Sequence, residues 1–89
     1  MKYVLFYDST EDILSKAAPH IAAHSARLRD FHARGTLLMG GAFANVQDDG
    51  AMIIFTTRDA AEEFVQGDPY LLHGVIRAWH IRAWNEGVA

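Results

Sequence analysis

The sequence contains no cysteine among its 89 residues. That absence excludes a disulfide framework, a thiolate nucleophile and a zinc site built on cysteine. Basic charge is sparse. Lys and Arg number 8 against 11 Asp and Glu, for a net charge of −3, and the arginines are scattered. A face for nucleic acid needs clustered Lys and Arg, so no nucleic-acid partner is expected. Long apolar runs are missing as well. The first residues, Met1 to Tyr7, carry one lysine and a short apolar stretch that Asp8 ends, too short for a signal peptide, and no later run approaches a membrane span. A cytoplasmic protein with no membrane partner is the expectation. There is no phosphate loop, Gly-x-Ser-x-Gly elbow or dinucleotide fingerprint, so no cofactor is implied.

What is present is apolar. Hydrophobic residues make up 51% of the chain and charged ones 21%, the balance of a globular protein. The length allows one domain, residues 1–89, and a body this small buries a modest share of its surface. So much apolar content in so small a body points to a hidden oligomer interface.

Residues 2–8 read as a strand of β-branched and aromatic types, apolar on both faces. The Ser9-Thr10-Glu11-Asp12 cluster is a turn and helix start, and Pro19 either begins a second helical stretch or marks a break. Helix continues to Arg34, where Gly35 stops it. Residues 36–44 form a second strand in which Gly40-Gly41 signals a bulge or close backbone approach. Residues 45–50 read as a polar turn and 51–57 as a third strand, hairpin-paired with the second. Thr57 or Asp59 caps a helix over 59–67 ended by Gly67, Asp68-Pro69-Tyr70 opens another turn, and residues 75–84 form the last strand.

The order β-α-β-β-α-β predicts an α+β, ferredoxin-like domain: a four-stranded antiparallel sheet with two helices on one face. Two helices cover only one side. The other side, carrying Met52 and Ile54 or else Ile53 and Phe55, needs its own cover, and a second copy of the chain is the simplest one. A homodimer through the open sheet face is therefore expected.

The first helical segment holds the most informative residue. At 100° per residue, His24 lies at the centre of a stripe formed by Ile13, Ala17, His20, Ile21, Arg27, Leu28 and Phe31. An ionisable group placed there is desolvated and needs a partner. On the second helix Ala61, Phe64 and Val65 form the apolar stripe, and Asp68 is the next position on that face. Both helices lie on the same sheet face, so the two groups can converge. An Asp bonded to one imidazole nitrogen fixes the tautomer and leaves the other nitrogen basic, which suits general acid–base chemistry. A purely structural buried pair is the competing reading. So is a turn-capping role for Asp68. Catalysis requires the two side chains to approach within about 8 Å, the reach of a one-water bridge. Arg27 is a candidate clamp for an anionic group, and Tyr7 and Tyr70 are candidate pocket walls with hydroxyl handles.

His20 and His24 have metal-ligand spacing, but no third ligand stands near them and no metal site is expected. His32 falls on the helix flank, half-exposed. His73 and His80 face either the pocket or the dimer interface. Trp79 and Trp84 are core or interface aromatics.

Several short motifs, in this order and spacing, resemble the YCII-related (YciI-like) family across almost the whole chain. They are the N-terminal Tyr-Val-Leu-Phe-Tyr-Asp, His24-Ser25-Ala26-Arg27-Leu28 leading to Gly35, Leu-Leu-Met-Gly-Gly, and Asp68-Pro69-Tyr70 with Gly74-Val75. The resemblance implies a dimeric α+β barrel of ferredoxin-like protomers, with a helical His and an Asp-Pro-Tyr Asp as a catalytic pair; these match His24 and Asp68. It also implies small-molecule chemistry of lyase or isomerase type. One branch of the family resembles dehydrochlorinases of chlorinated hydroxyhydroquinones, and related families include muconolactone isomerase and cofactor-free monooxygenases. The family's Gly-Pro-like pair after strand two reads Gly41-Ala42 here, which alters the pocket rim, and Gly41 joins Tyr7, Arg27 and Tyr70 as an expected substrate-binding residue. The alternative is a non-catalytic small-molecule binding or regulatory dimer of the same fold.

Overall fold

Val4 and Leu5 with the aromatic Tyr3, Phe6 and Tyr7 set up strand β1 (Lys2–Ser9), which pairs with a strand on either side in the middle of the sheet. The computed structural model describes residues 1–89. Strands β2 (Leu37–Ala42), β3 (Ala51–Phe55) and β4 (Ile76–Trp84) complete an antiparallel sheet of order β2-β3-β1-β4. Register decides the two faces. Leu5 pairs with Ile53 and Ile81, and Tyr7 with Ala51 and Trp79, so these side chains share one face. Val4 and Phe6, opposite Ile54, Met52, Arg82 and His80, take the other face.

The helices are α1 (Ile13–Ala17), α2 (Ile21–Ala33), α3 (Val46–Asp49), α4 (Arg58–Gly67) and α5 (Pro69–Leu72), with a 3-10 turn at Ala18–His20. The core joins Leu5, Tyr7, Ile53, Phe55 and Ile76 of the sheet to Phe31 of α2 and Ala61, Phe64 and Val65 of α4. At its centre Phe64 meets Phe31 edge-on, with ring centroids 5.3 Å apart, and Phe55 at 5.5 Å. This is the expected α+β arrangement, a ferredoxin-like βαββαβ order elaborated by short helices.

Two local expectations need correcting, and of the two alternatives for the glycine pair the close approach holds. Residues 45–50 do not form an open turn but the one-turn helix α3. The Asn45 side chain accepts from the Asp48 N–H at 3.2 Å and donates to the Asp48 carboxylate at 3.0 Å, a reciprocal cap. The bulge in β2 falls between Leu37 and Met39, ahead of the glycine pair. Gly40 instead marks a close approach, because a Cβ there would lie 3.1 Å from the Ile53 side chain. His32 is exposed rather than half-buried. Pro19 sits inside the 3-10 turn that separates α1 from α2, so the first helical region is broken there.

The open face carries Phe6, Met52, Ile54 and Trp84, the last 46% exposed. His80 belongs to this face and stacks on Phe6 at 5.0 Å, and Trp79 packs against the core. His73 stacks on His20 at 4.2 Å, joining the end of α5 to the start of α2. No helix is long and apolar enough to cross a membrane.

Candidate functional site

Asp68 occupies the junction between α4 and α5, and one carboxylate serves several purposes there. As N-cap of α5 it accepts the Tyr70 N–H at Oδ1, 3.2 Å away, while Pro69 fills the first helical position where an N–H is not needed. The same Oδ1 lies 2.8 Å from His24 Nδ1. Oδ2 accepts the Tyr7 hydroxyl at 2.5 Å. Asp68 is 0% exposed, and these three donors account for its burial. Capping and pairing with His24 are therefore concurrent.

His24 comes from the middle of α2, and its side chain is 13% exposed. Its ring stacks on Tyr70 with centroids 3.7 Å apart and planes within 6°, and meets Phe64 edge-on at 6.3 Å. In the neutral ring, the carboxylate beside Nδ1 favours the tautomer with the proton on Nδ1, which leaves the lone pair on Nε2. No buried side-chain nitrogen or oxygen lacks a hydrogen-bond partner, so the unbonded Nε2 opens on accessible space.

His24 lines a cavity of about 290 Å³ between the sheet and the α1–α2 arm, with 12 hydrophobic residues among the 15 that line it. Tyr7, Ile53 and Ile76 form its sheet wall, Ile13, Ile21, His24 and Leu28 its helical wall, and Gly41 and Ala42 its edge. Ile21 is 50% exposed because its part of the expected apolar stripe borders this cavity rather than packed core. No Lys, Arg, Asp or Glu lines it. The cavity therefore favours a neutral or weakly acidic guest over a strongly charged one.

Of the residues singled out in the sequence, Tyr7, His24, Gly41 and Tyr70 border the cavity, and Asp68 stands directly behind His24. Arg27 does not. Its guanidinium is held by the Phe64 and Glu63 carbonyls of α4, at 3.0 and 2.9 Å, so it is no anion clamp in the cavity. Val46 of α3 and Ser9 line the cavity without having been singled out. Ser9 Oγ donates to the Val46 carbonyl at 2.5 Å, and the Gln47 side chain bonds the Ile13 N–H and the Thr10 carbonyl, tying α3 to the loop after β1. The Asn45-x-x-Asp48 pattern is the signal that announces this element.

Two phenols respond to the buried carboxylate. Burial, the Asp68 charge and the hydrogen bond to it push the Tyr7 hydroxyl well above the usual phenol range, against a smaller opposing effect of Arg27. Burial and the Asp68 charge also raise the Tyr70 hydroxyl. Both phenols stay protonated around neutrality, so Tyr7 remains a donor to Asp68.

The sequence model of the YCII-related domain matches residues 1–85. The chain belongs to the YCII-related family. Among solved structures, this YCII-related chain is similar to 5-chloro-2-hydroxyhydroquinone dehydrochlorinase (TftG) from Burkholderia phenoliruptrix AC1100, solved in complex with 2,5-dihydroxybenzoquinone. The TM-score is 0.78 at 23% identity, covering 98% of this chain and 96% of that one. The likeness establishes the shared fold. No curated protein matches this YCII-related sequence.

Proposed function

We propose that the protein is a small-molecule enzyme of lyase or isomerase type that moves a proton on a neutral cyclic or aromatic compound through His24 and Asp68. The observation that carries this reading is the orientation of one imidazole: Nδ1 bonded to a buried carboxylate, Nε2 free beside an apolar cavity. In the reaction, Nε2 takes a proton from an acidic C–H or O–H of the guest, and the C–H or O–H electron pair stays with the substrate. The imidazolium is held by its bond to Asp68. The proton then returns to a different atom, an isomerisation, or the electron pair forms a double bond as a leaving group departs with its own pair, an elimination. Tyr7, Gly41 and Tyr70 shape the wall against which a flat ring rests. The related dehydrochlorinase TftG was solved with a dihydroxybenzoquinone, which makes halogenated hydroquinones, neutral as substrates, the first compounds to test.

The test is chloride release from 5-chloro-2-hydroxyhydroquinone, alongside a panel of lactones and chlorophenols, by wild type and His24→Ala. Turnover of one compound that falls at least 100-fold in the folded variant supports the reading, the lower end of the roughly 10²–10⁴-fold that an acid–base group contributes. Absence of turnover across the panel, with binding of 2,5-dihydroxybenzoquinone unchanged in His24→Ala, supports a non-catalytic binding module instead.

The open sheet face is read in the same way as a contact between two copies of this chain. The helices cover only the opposite side, and Phe6, Met52 and Trp84 leave an apolar surface with Arg82 at its margin. Sedimentation of wild type as a dimer and of Phe6→Glu as a folded monomer supports it. A wild-type monomer at micromolar concentration overturns it.

A further inference from the structure

His24 and Asp68 lie 44 residues apart on different helices, so something must set their separation. Besides the His24–Asp68 contact itself, three side-chain hydrogen bonds join α2 and its capping Arg34 to α4: two from Arg27 and the exposed Arg34–Glu63 pair at 3.3 Å. Arg27 lies one helical turn beyond His24, on the same flank of α2. Its Nε donates to the Phe64 carbonyl and its Nη2 to the Glu63 carbonyl, both in the last turns of α4. The Asp68 N–H bonds the Val65 carbonyl at 3.2 Å instead of continuing the α-helical ladder, which leaves the Phe64 carbonyl in want of a donor. A cation at that end of the helix is also favoured by the helix dipole.

The seat for this guanidinium exists because residue 67 is glycine. Gly67 does not have a positive φ, so its backbone does not require glycine. A Cβ there would strike Arg27 Nη2, however, and lie 2.6 Å from Cζ. The guanidinium occupies that space and spans the faces of Phe31 and Phe64, 4.9 and 5.7 Å from their centroids. The next residue after Gly67 is Asp68.

We propose that Arg27 and Gly67 form a latch that positions the carboxylate end of α4 against His24, making Arg27 a positioning residue for the His24–Asp68 pair. The inference rests on the proposed role of that pair in chemistry but makes its own geometric claim. A side chain at position 67 displaces the guanidinium, α4 loses its tether to α2, and the Nδ1–Oδ1 contact loosens.

The experiment reads the imidazole itself, by nitrogen and proton NMR of His24 in the full-length chain. Wild type is expected to show a single tautomer with the proton on Nδ1 and slow exchange of that proton. Gly67→Ala, which helix propensity alone favours, is expected to mix the tautomers and speed that exchange at least tenfold, as is Arg27→Gln. In the Arg27→Gln background, Gly67→Ala is expected to add less than twofold, because the group it displaces is already gone. Arg34→Gln, which removes the exposed link to Glu63 along with the Arg34–Asp30 pair and the contact with the Phe31 ring but leaves Arg27 in place, is the control expected to leave the signal unchanged. If Arg27→Gln does not fold, Arg27→Lys, which keeps one donor and loses the two-carbonyl grip, takes its place. A folded Gly67→Ala protein with the wild-type tautomer and exchange rate overturns the latch, as does an equal effect of Gly67→Ala in both backgrounds. Failure of the chemical reading looks different. His24→Ala would then leave turnover and binding of 2,5-dihydroxybenzoquinone intact while the latch variants still disturb the His24 signal.

Discussion

Replacing Tyr7 by Phe isolates one hydrogen bond at the centre of the site. The ring is 3% exposed and packs in the core between sheet and helices, and Phe preserves that packing. What is lost is the hydroxyl that donates to Asp68 Oδ2 at 2.5 Å. Oδ1 retains His24 and the Tyr70 N–H, but Oδ2 has no other donor and no solvent to turn to. A hydrogen bond to a charged group contributes about 1.5–3 kcal/mol, and leaving its buried acceptor bare places the cost in the upper half of that range. The expected loss is about 2–3 kcal/mol, a large fraction of the ~5–15 kcal/mol that holds a domain together. Urea unfolding followed by circular dichroism at fixed protein concentration measures it. With a slope near ~1 kcal/mol per molar, the midpoint falls by about 2–3 M while the slope is unchanged. A loss below about 0.5 kcal/mol would mean that Oδ2 is solvated or finds another donor, and the account of Asp68 as a sealed, three-donor carboxylate would be wrong.

The same hydroxyl sets an alkaline limit. Its folded-state value is raised by burial first and Asp68 second, so its contribution is complete below the unfolded phenol value of about 10 and is lost as pH climbs from there toward the folded value. Between pH 10 and 12, stability of wild type is expected to fall more steeply than that of Tyr7→Phe by up to ~1.4 kcal/mol per pH unit, one proton's worth; parallel curves would refute it. Phe64→Ala removes the ring where three core phenylalanines meet and is expected to cost about 3–5 kcal/mol in thermal or urea unfolding, whereas a cost below about 2 would mean that the aromatic cluster relaxes into the gap. Gly50→Ala combines a φ of +73° with a collision against the Tyr7 carbonyl oxygen and is expected to lose more than about 2 kcal/mol. Gly35→Ala, at φ +83° but in open space, is expected to lose only about 1 kcal/mol, and equal losses would show that the collision contributes nothing.

Much of the fold was legible because it depends on period and punctuation. Apolar strand runs, a Pro-broken helical region and glycine stops dictate the βαββαβ order, and the structure keeps it with strand boundaries moved by at most two residues. The one-turn helix α3 was hidden because four residues carry no readable helical period; only its Asn45 and Asp48 cap announces it. His24 and Asp68 could be placed on inward stripes, since a helical face is a property of spacing. Their 2.8 Å contact also depends on where α4 ends relative to α2.

Arg27 marks the boundary between what spacing settles and what packing settles. By sequence it belongs to the same stripe as His24, and a cation beside an inward histidine reads as a clamp for an anion. Only the tertiary structure decides its partner, because the carbonyls of Glu63 and Phe64 become available to it only once α4 packs against α2 with a glycine at position 67. The sequence by itself determined which residues face inward and in what order the elements run, because those follow from local periodicity. Which inward groups meet, and which one opens on the cavity, was decided by helix-to-helix packing, which no local pattern encodes.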